Sequence, residues 1–383
     1  MNHPWLLPEY VEDILPPYAR QAESLRRQLL DMYDGYGYEL VCPPLIEYLD
    51  SLLTGVAGDL DLKTFKMVDG LSGRMMGVRA DMTPQAARID AHLLNRPGVT
   101  RVCYAGPVLH TKPAGLLSSR EPYQIGAELF GHAGIEADLE VLELLLASLA
   151  ATGLVDIRVS LGHVGLFRAL AAAAGLDGAV GQPLFQALRA KDMPTLMELT
   201  AGLAEPLRAA FLLLPELYGG PEVIETARSK LPVLPGIVQA LDDLAVLLAA
   251  NGEANLSVDL ADLRGYGYHT GVVFAAYVGG QASSVALGGR YDGAGAVFGR
   301  ARPATGFSLD LRRILASMPE PALRSGILAP QDGDAELKTK IAELRQAGER
   351  VVVEFSGRPS LPAETGCDRK LARVAGNWQV LPL

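Results

Sequence analysis

The sequence predicts an α+β fold: an antiparallel sheet with helices and a helical insertion, followed by a small C-terminal α/β domain. Three observations predict it. Strand-like segments occupy much of residues 38–160, an Ala/Leu-patterned block fills roughly 164–251, and strands return between 256 and 287. Pro194, Pro206, Pro215, Pro221 and Pro232 cut the block into separate helices. After Met318-Pro-Glu-Pro the pattern restarts as strand, helix and strands. The expected boundaries are 1–163 with 252–318 for the core, 164–251 for the insertion and 319–383 for the tail.

Taken in order, Tyr18 to Met32 sets Ala22, Leu25, Leu29 and Leu30 near helical spacing between Arg and Glu, and Gly35 and Gly37 close that helix. A strand at Tyr38–Val41 leads to Pro43 and Pro44, which cannot donate ladder hydrogen bonds and suit a sheet edge or an interface. Phe65–Met67 and Arg74–Arg79 read as strands. Thr83 and Pro84 read as a hydroxyl cap and a first-turn proline, with Asp81 in the loop ahead and an apolar face running to Leu94. Val102–Val108 and Tyr123–Phe130 alternate as an antiparallel pair. A helix over Glu136–Thr152 precedes a strand at Asp156–Ser160. Beyond the block come strands at Leu256–Asp259, Val272–Val278 and Ser284–Leu287, then a closing helix at Phe307–Ala316. In the tail, strands are expected at Ser325–Leu328, Val351–Glu354 and Gln379–Leu381, with a helix at Asp334–Ala347.

Composition removes several function classes. With 383 residues, 49% hydrophobic and 20% charged, the chain can bury a sizeable core. A net charge of -10 gives no diffuse attraction to nucleic acid. Cys42, Cys103 and Cys367 lie far apart and match no zinc spacing, so a reduced cytoplasm is the expected compartment. The N-terminus lacks the pattern of a signal peptide, and the Ala/Leu runs carry charges at helical intervals, so no membrane span is expected. No P-loop, dinucleotide fingerprint, nucleophile elbow or His-Glu-x-x-His pattern occurs, and the six histidines lack ligand spacing. No metal and no cofactor is expected.

Four polar clusters sit at strand ends: Arg79-Ala-Asp-Met-Thr-Pro84, Tyr123-Gln-Ile-Gly-Ala-Glu128, Arg264-Gly-Tyr-Gly-Tyr-His-Thr-Gly271 and Gly288-Gly-Arg-Tyr-Asp-Gly293. Each alone is a weak signal. In this order, with the helical block between the second and third, they resemble the class II histidyl-tRNA synthetase core over roughly residues 8–318. The resemblance implies the class II aminoacyl-tRNA synthetase-like antiparallel sheet.

It also implies roles for an amino-acid pocket. Asp81 and Thr83 match the pair that holds the ammonium group, and both side chains can accept from a cation. Gln124 and Glu128 match positions that contact the amino acid and its imidazole, and period-two spacing puts them on one strand face. The alternative for both is a solvated strand residue. In the third cluster the family reads Arg-Gly-Leu-Asp-Tyr-Tyr-Thr-Gly, so Arg264, Gly265, Tyr268, Thr270 and Gly271 agree while Tyr266, Gly267 and His269 differ. Arg264 matches an α-phosphate ligand, and Tyr268 and His269 match the aromatic lining. His269 could equally be a packed aromatic substitute.

The nucleotide side departs from the family. Where the family reads Gly-Pro, an aromatic, Arg, any residue, Glu, Arg, Pro, this chain reads Gly106-Pro-Val-Leu-His-Thr-Lys-Pro113. In that register Leu109 replaces the phosphate-clamping arginine and Thr111 the glutamate on the adenine side. Losing one preorganised donor costs on the order of a hundred- to a thousandfold in rate. Near the closing helix Arg313 is kept, Arg312 replaces a glutamate, and Asp310 adds a carboxylate expected to repel phosphate. The tail is shorter than an anticodon-binding domain, and the nine Lys or Arg against eight Asp or Glu of residues 321–383 announce no basic face.

A core with these losses and a short tail resembles the ATP phosphoribosyltransferase regulatory subunits, a family paralogous to histidyl-tRNA synthetase. The resemblance implies a non-catalytic subunit that partners the short-form catalytic subunit. Its implied role is in the first step of L-histidine biosynthesis, with feedback inhibition by histidine as ligand. It further implies a dimer, with Pro44 in the matching interface position. The rival readings are an active histidine-activating enzyme and a synthetase-like RNA-binding module.

Overall fold

The computed structural model describes residues 5–53, 58–115, 118–176, 178–252, 254–265, 267–281, 283–293, 295–322, 324–355 and 362–383. Contacts divide the chain into a larger unit, Met1–Asp13 with Ala22–Met318, and a smaller one, Ile14–Gln21 with Pro319–Leu383.

The strands of the larger unit are β1 (Glu39–Leu40), β2 (Ile46–Tyr48), β3 (Phe65–Val68), β4 (Met75–Val78), β5 (Thr100–Pro107) and β6 (Tyr123–Phe130). They continue as β7 (Ile157–His163), β8 (Tyr218–Gly219), β9 (Leu256–Asp259), β10 (Val272–Val278), β11 (Ala286–Arg290) and β12 (Ala304–Asp310). Nine form one sheet in the order β1-β5-β6-β12-β11-β10-β7-β9-β8. In it β1 lies parallel to β5 and β9 parallel to β7, and the other neighbours run antiparallel. The helix Ile135–Ala151 buries Val141, Leu142, Leu145 and Leu149 in the same core as Ile125 and Leu129 of β6. The helix Tyr18–Gly35 adds Leu25, Leu29 and Tyr33 to it, and the chain leaves that helix through Gly37 at φ 82°. A separate antiparallel sheet, β2-β4-β3, holds the segment around Pro44.

Between β7 and β9 lie the helices Val164–Ala173, Gln182–Arg189, Met193–Leu199, Glu205–Leu213, Glu222–Lys230 and Pro235–Ala250. The block also contains β8, which joins the main sheet beside β9.

Three local expectations are corrected. Phe307 to Asp310 is strand rather than helix, and the helix is Leu311–Ser317. β12 lies between β6 and β11, so most of its residues are buried and the alternation that marks a strand is weak. Asp310, whose carboxylate accepts from Arg312 N at 3.1 Å, starts the helix. The Ser284–Leu287 strand runs on to Arg290, because Gly288 and Gly289 pair with β10 and β12 where side chains would strike Phe274 and the Val272 carbonyl. Finally, Thr83 does not cap its helix. Met82 holds the cap position, and Asp81 Oδ1 accepts the Thr83 N–H at 3.0 Å. That helix, Thr83–Arg88, continues as a π turn, Ile89–Leu94.

In the smaller unit β13 (Ile327–Ala329), β14 (Val351–Val353), β15 (Arg369–Val374) and β16 (Asn377–Pro382) form a sheet in the order β14-β13-β15-β16. Ile327, Val351 and Leu371 pack against Leu337 and Ile341 of the helix Ala335–Gln346. β15 escapes the sequence reading because its Arg-Lys-Leu-Ala-Arg-Val run carries three cations.

Candidate functional site

β5 and β6 pair with Val102 opposite Glu128 and Gly106 opposite Gln124, so Tyr104, Gln124 and Glu128 face one side of the sheet. Two glycines make room for them. A Cβ at Gly126 would lie 2.6 Å from the Tyr104 ring, and one at Gly306, opposite Glu128 on β12, would overlap the Glu128 carboxyl.

Glu128 is only 1% exposed, which excludes the solvated-strand alternative. Tyr104 donates to its Oε1 at 2.9 Å and Tyr291 donates to its Oε2. Thr83 Oγ1 lies 3.1 Å from the Tyr104 hydroxyl. Burial pushes the Glu128 carboxyl up to about 8, overcoming the opposing hydrogen bonds from Tyr291, Tyr104 and Thr83. Near neutral pH this carboxyl therefore carries a proton.

Gln124 ties the sheet to the start of the Thr83 helix. Its Oε1 accepts the Met82 N–H at 2.9 Å and its Nε2 donates to Asp81 Oδ1 at 3.3 Å. Tyr268 stacks on Tyr291, with centroids 4.9 Å apart at 22°. Among the described residues the buried Tyr268 hydroxyl has no hydrogen-bond partner. Burial, with the charges of Glu128 and Asp81, raises its pKa well above the ordinary phenol value. The arrangement offers a ligand a half-buried carboxylate at Asp81, a protonated acid at Glu128 and one unpaired hydroxyl.

The structure thus brings together Asp81, Thr83, Gln124, Glu128 and Tyr268. It does not bring Arg264 to them. The Arg264 guanidinium forks onto Asp262, with Nε to Oδ1 at 2.7 Å and Nη2 to Oδ2, and its Nη1 donates to the Tyr277 hydroxyl. A phosphate would have to break that bidentate pair. His269 packs behind Tyr268, with Nδ1 3.3 Å from the Arg290 carbonyl, and burial lowers its pKa to about 4. It is a neutral packing ring. Tyr266 lies outside the described residues.

In the loop before Gln124, His110 is the side chain that meets the backbone just ahead of Asp81. Past Pro107 the chain stays extended, with Val108 N–H bonded to Pro122 O at 2.9 Å and His110 N–H to Arg120 O at 2.8 Å. Alternation puts Tyr104, Val108 and His110 on the pocket face and Leu109 and Thr111 on the other. His110 Nε2 lies 2.9 Å from the Ala80 carbonyl, and burial lowers the imidazole pKa. Thr111 spends its hydroxyl on Leu62 O at 2.6 Å. The position next to Asp81 is thus held by a neutral imidazole rather than a fixed cation. Asp310, besides starting its helix, pairs with Arg313 Nε at 3.1 Å, while Arg312 reaches Glu121 at 2.9 Å.

Tyr104 and Tyr291 were not singled out from sequence. Tyr291 stands inside the fourth cluster, and Tyr104 precedes Gly106 by one strand period. Arg290, the chain neighbour of Tyr291, donates to Asp138 Oδ2 at 2.7 and 2.9 Å, to Gly134 O at 3.0 Å and to Asp292 Oδ1 at 3.2 Å. These bonds anchor the strand end that carries Tyr291.

Residues 10–314 match the family model described as Histidyl-tRNA synthetase, and residues 324–381 match the ATP phosphoribosyltransferase subunit HisZ C-terminal domain. The chain is 58% identical to a Ralstonia nicotianae protein named ATP phosphoribosyltransferase regulatory subunit, over 99% of this chain and 98% of that one. A protein of the same name from Cupriavidus taiwanensis is 56% identical over the whole of both chains. Among solved structures, an ATP phosphoribosyltransferase regulatory subunit/histidyl-tRNA synthetase from Bacillus halodurans superposes with TM-score 0.81 at 26% identity, covering 96% of this chain and 97% of that one. Histidyl-tRNA synthetase from Nostoc sp. shares the fold at TM-score 0.76 and 17% identity, covering 99% of this chain and 97% of that one. On a histidyl-tRNA synthetase-like class II fold, the chain belongs to the ATP phosphoribosyltransferase regulatory subunit family.

Proposed function

We propose that this chain is the non-catalytic regulatory subunit of ATP phosphoribosyltransferase in the first step of L-histidine biosynthesis, and that histidine feedback acts through the Asp81–Glu128 pocket. The observation that carries this reading is the unequal fate of the pocket's two halves. Asp81, Thr83, Gln124, Glu128 and Tyr268 converge. Arg264, by contrast, is neutralised by Asp262, and His110 supplies no fixed positive charge. A sensor needs only a ligand that binds two states of a complex differently, with coupling of roughly 1–3 kcal/mol. It needs no phosphate clamp.

The partner is the short-form catalytic subunit, and the chain self-associates as a dimer. Exposed Leu45, Ile46, Tyr48 and Met75 around the small sheet support that surface. Among the described residues no helix is long and apolar enough to cross a membrane, in keeping with a cytoplasmic assembly.

Mixing purified chain with a short-form catalytic subunit is expected to raise ATP phosphoribosyltransferase activity. Asp81→Ala is expected to raise the histidine concentration needed for half-inhibition roughly tenfold, the loss of one charge-assisted hydrogen bond. Unchanged inhibition would move the inhibitor to another site. The chain alone is expected to show only background ATP–pyrophosphate exchange with histidine, and robust exchange would overturn the non-catalytic reading.

A further inference from the structure

Tyr268 lies on the segment between β9 and β10, and the backbone of that segment is held from two directions. The Tyr268 and His269 N–H groups both bond to the Gly265 carbonyl at 2.7 Å, and the Thr270 N–H bonds to the Arg290 carbonyl at 2.7 Å. Gly265 stands at φ 65°, and a Cβ there would meet the His269 ring at 2.5 Å, so this turn requires glycine. The carbonyls of His269 and Gly271 are taken by the first helix of the block between β7 and β9. Val164 N–H donates to Gly271 O at 3.0 Å, and Arg168 Nη2 donates to His269 O at 2.7 Å.

That helix, Val164–Ala173, buries Val164, Leu166, Phe167, Leu170 and Ala171, and its one charged residue is Arg168. Val164 and Arg168 are four residues apart, so they share a face and together grip two carbonyls of the segment that carries Tyr268. The Arg168 bond joins residues 101 apart in sequence, and its donor is a full charge, which makes it stronger than a neutral bond of the same length. His269 offers no such charge, because burial keeps its ring neutral and the charge of Arg168 acts in the same direction. The Tyr268 hydroxyl has no partner of its own among the described residues. Its position therefore depends on the stacking of its ring on Tyr291 and on the backbone behind it. A binding group is effective only when its support holds it to within about half an ångström.

We propose that Arg168 is a positioning residue of the amino-acid pocket. By holding the His269 carbonyl it fixes the peptide that follows Tyr268 and so aims the Tyr268 hydroxyl at the ligand. The helical block between β7 and β9 thereby sets the affinity of a pocket to which it contributes no ligand contact of its own. This deepens the reading above and rests on it, since histidine is the ligand.

The test titrates the full-length chain with histidine in a calorimeter. Arg168→Met keeps much of the apolar stem and removes the donor, and it is expected to weaken histidine binding roughly tenfold. Arg168→Lys still carries a cationic donor and is expected to recover most of that affinity. The decisive comparison is a double-mutant cycle with Tyr268→Phe. Once the hydroxyl is gone, Arg168→Met is expected to cost less than about threefold, whereas a merely structural role would weaken both backgrounds alike. Wild-type affinity in Arg168→Met, no recovery in Arg168→Lys, or an equal loss in both backgrounds would each overturn the positioning role and leave the proposed function standing. No histidine binding by the wild-type chain would overturn both.

Discussion

Glu128→Gln is expected to weaken histidine binding by roughly tenfold or more and at the same time to stabilise the folded chain at neutral and alkaline pH. The wild-type carboxyl is pushed up to about 8 by burial, from an ordinary value of 4.5. Between those values the unfolded chain gives up the proton while the folded chain keeps it. Stability is therefore full below pH 4.5, falls as pH rises, and stops falling above about 8. At about 1.4 kcal/mol per unit, the decline across that window is about 3–5 kcal/mol. Glutamine keeps the shape and the hydrogen bonds with Tyr104 and Tyr291 without titrating. Urea unfolding of both proteins at pH 5 and pH 8 checks this: the variant's advantage should grow with pH, and parallel curves would refute the assignment.

Arg290→Leu is expected to destabilise the chain by about 3–5 kcal/mol. It leaves Asp138, whose side chain is 2% exposed, as an unpaired buried carboxyl, and it abandons the Gly134 carbonyl at the start of the Ile135–Ala151 helix. Burial already holds the Asp138 carboxyl above the usual range against the pull of Arg290, so without the arginine it is expected to protonate. Adding Asp138→Leu to Arg290→Leu should recover part of the loss, because removing both partners is cheaper than stranding one. Denaturant midpoints of the two single variants and the double variant measure this coupling. Tyr291 follows Arg290 directly, so the single variant should also lower histidine affinity. A stability loss below 1 kcal/mol would show the pair to be dispensable.

Much of the architecture was legible because it depends on local period. The Tyr18–Gly35 helix shows its apolar stripe, β5 shows its alternation, and prolines divide the block between β7 and β9 into helices. β12 was misread for the converse reason: its position between β6 and β11 buries it, and an almost continuously buried strand shows little period to read.

The candidate site divides the same way. The order of the four clusters pointed to the family, and that resemblance marked Asp81, Thr83, Gln124, Glu128, Arg264, Tyr268 and His269 as pocket positions. Only the tertiary structure decided that Asp262 takes the Arg264 fork, that His110 meets the Ala80 carbonyl, and that Tyr104 and Tyr291 hold Glu128. Asp262 is a neighbour in sequence, but Tyr277, Ala80 and Tyr291 reach their partners from 13, 30 and 163 residues away. Which side chain meets which is set by strand pairing and burial, and neither is written in the spacing of nearby residues. The sequence by itself determined the chemistry available to the pocket, while the fold determined which of those groups remain free to meet a ligand.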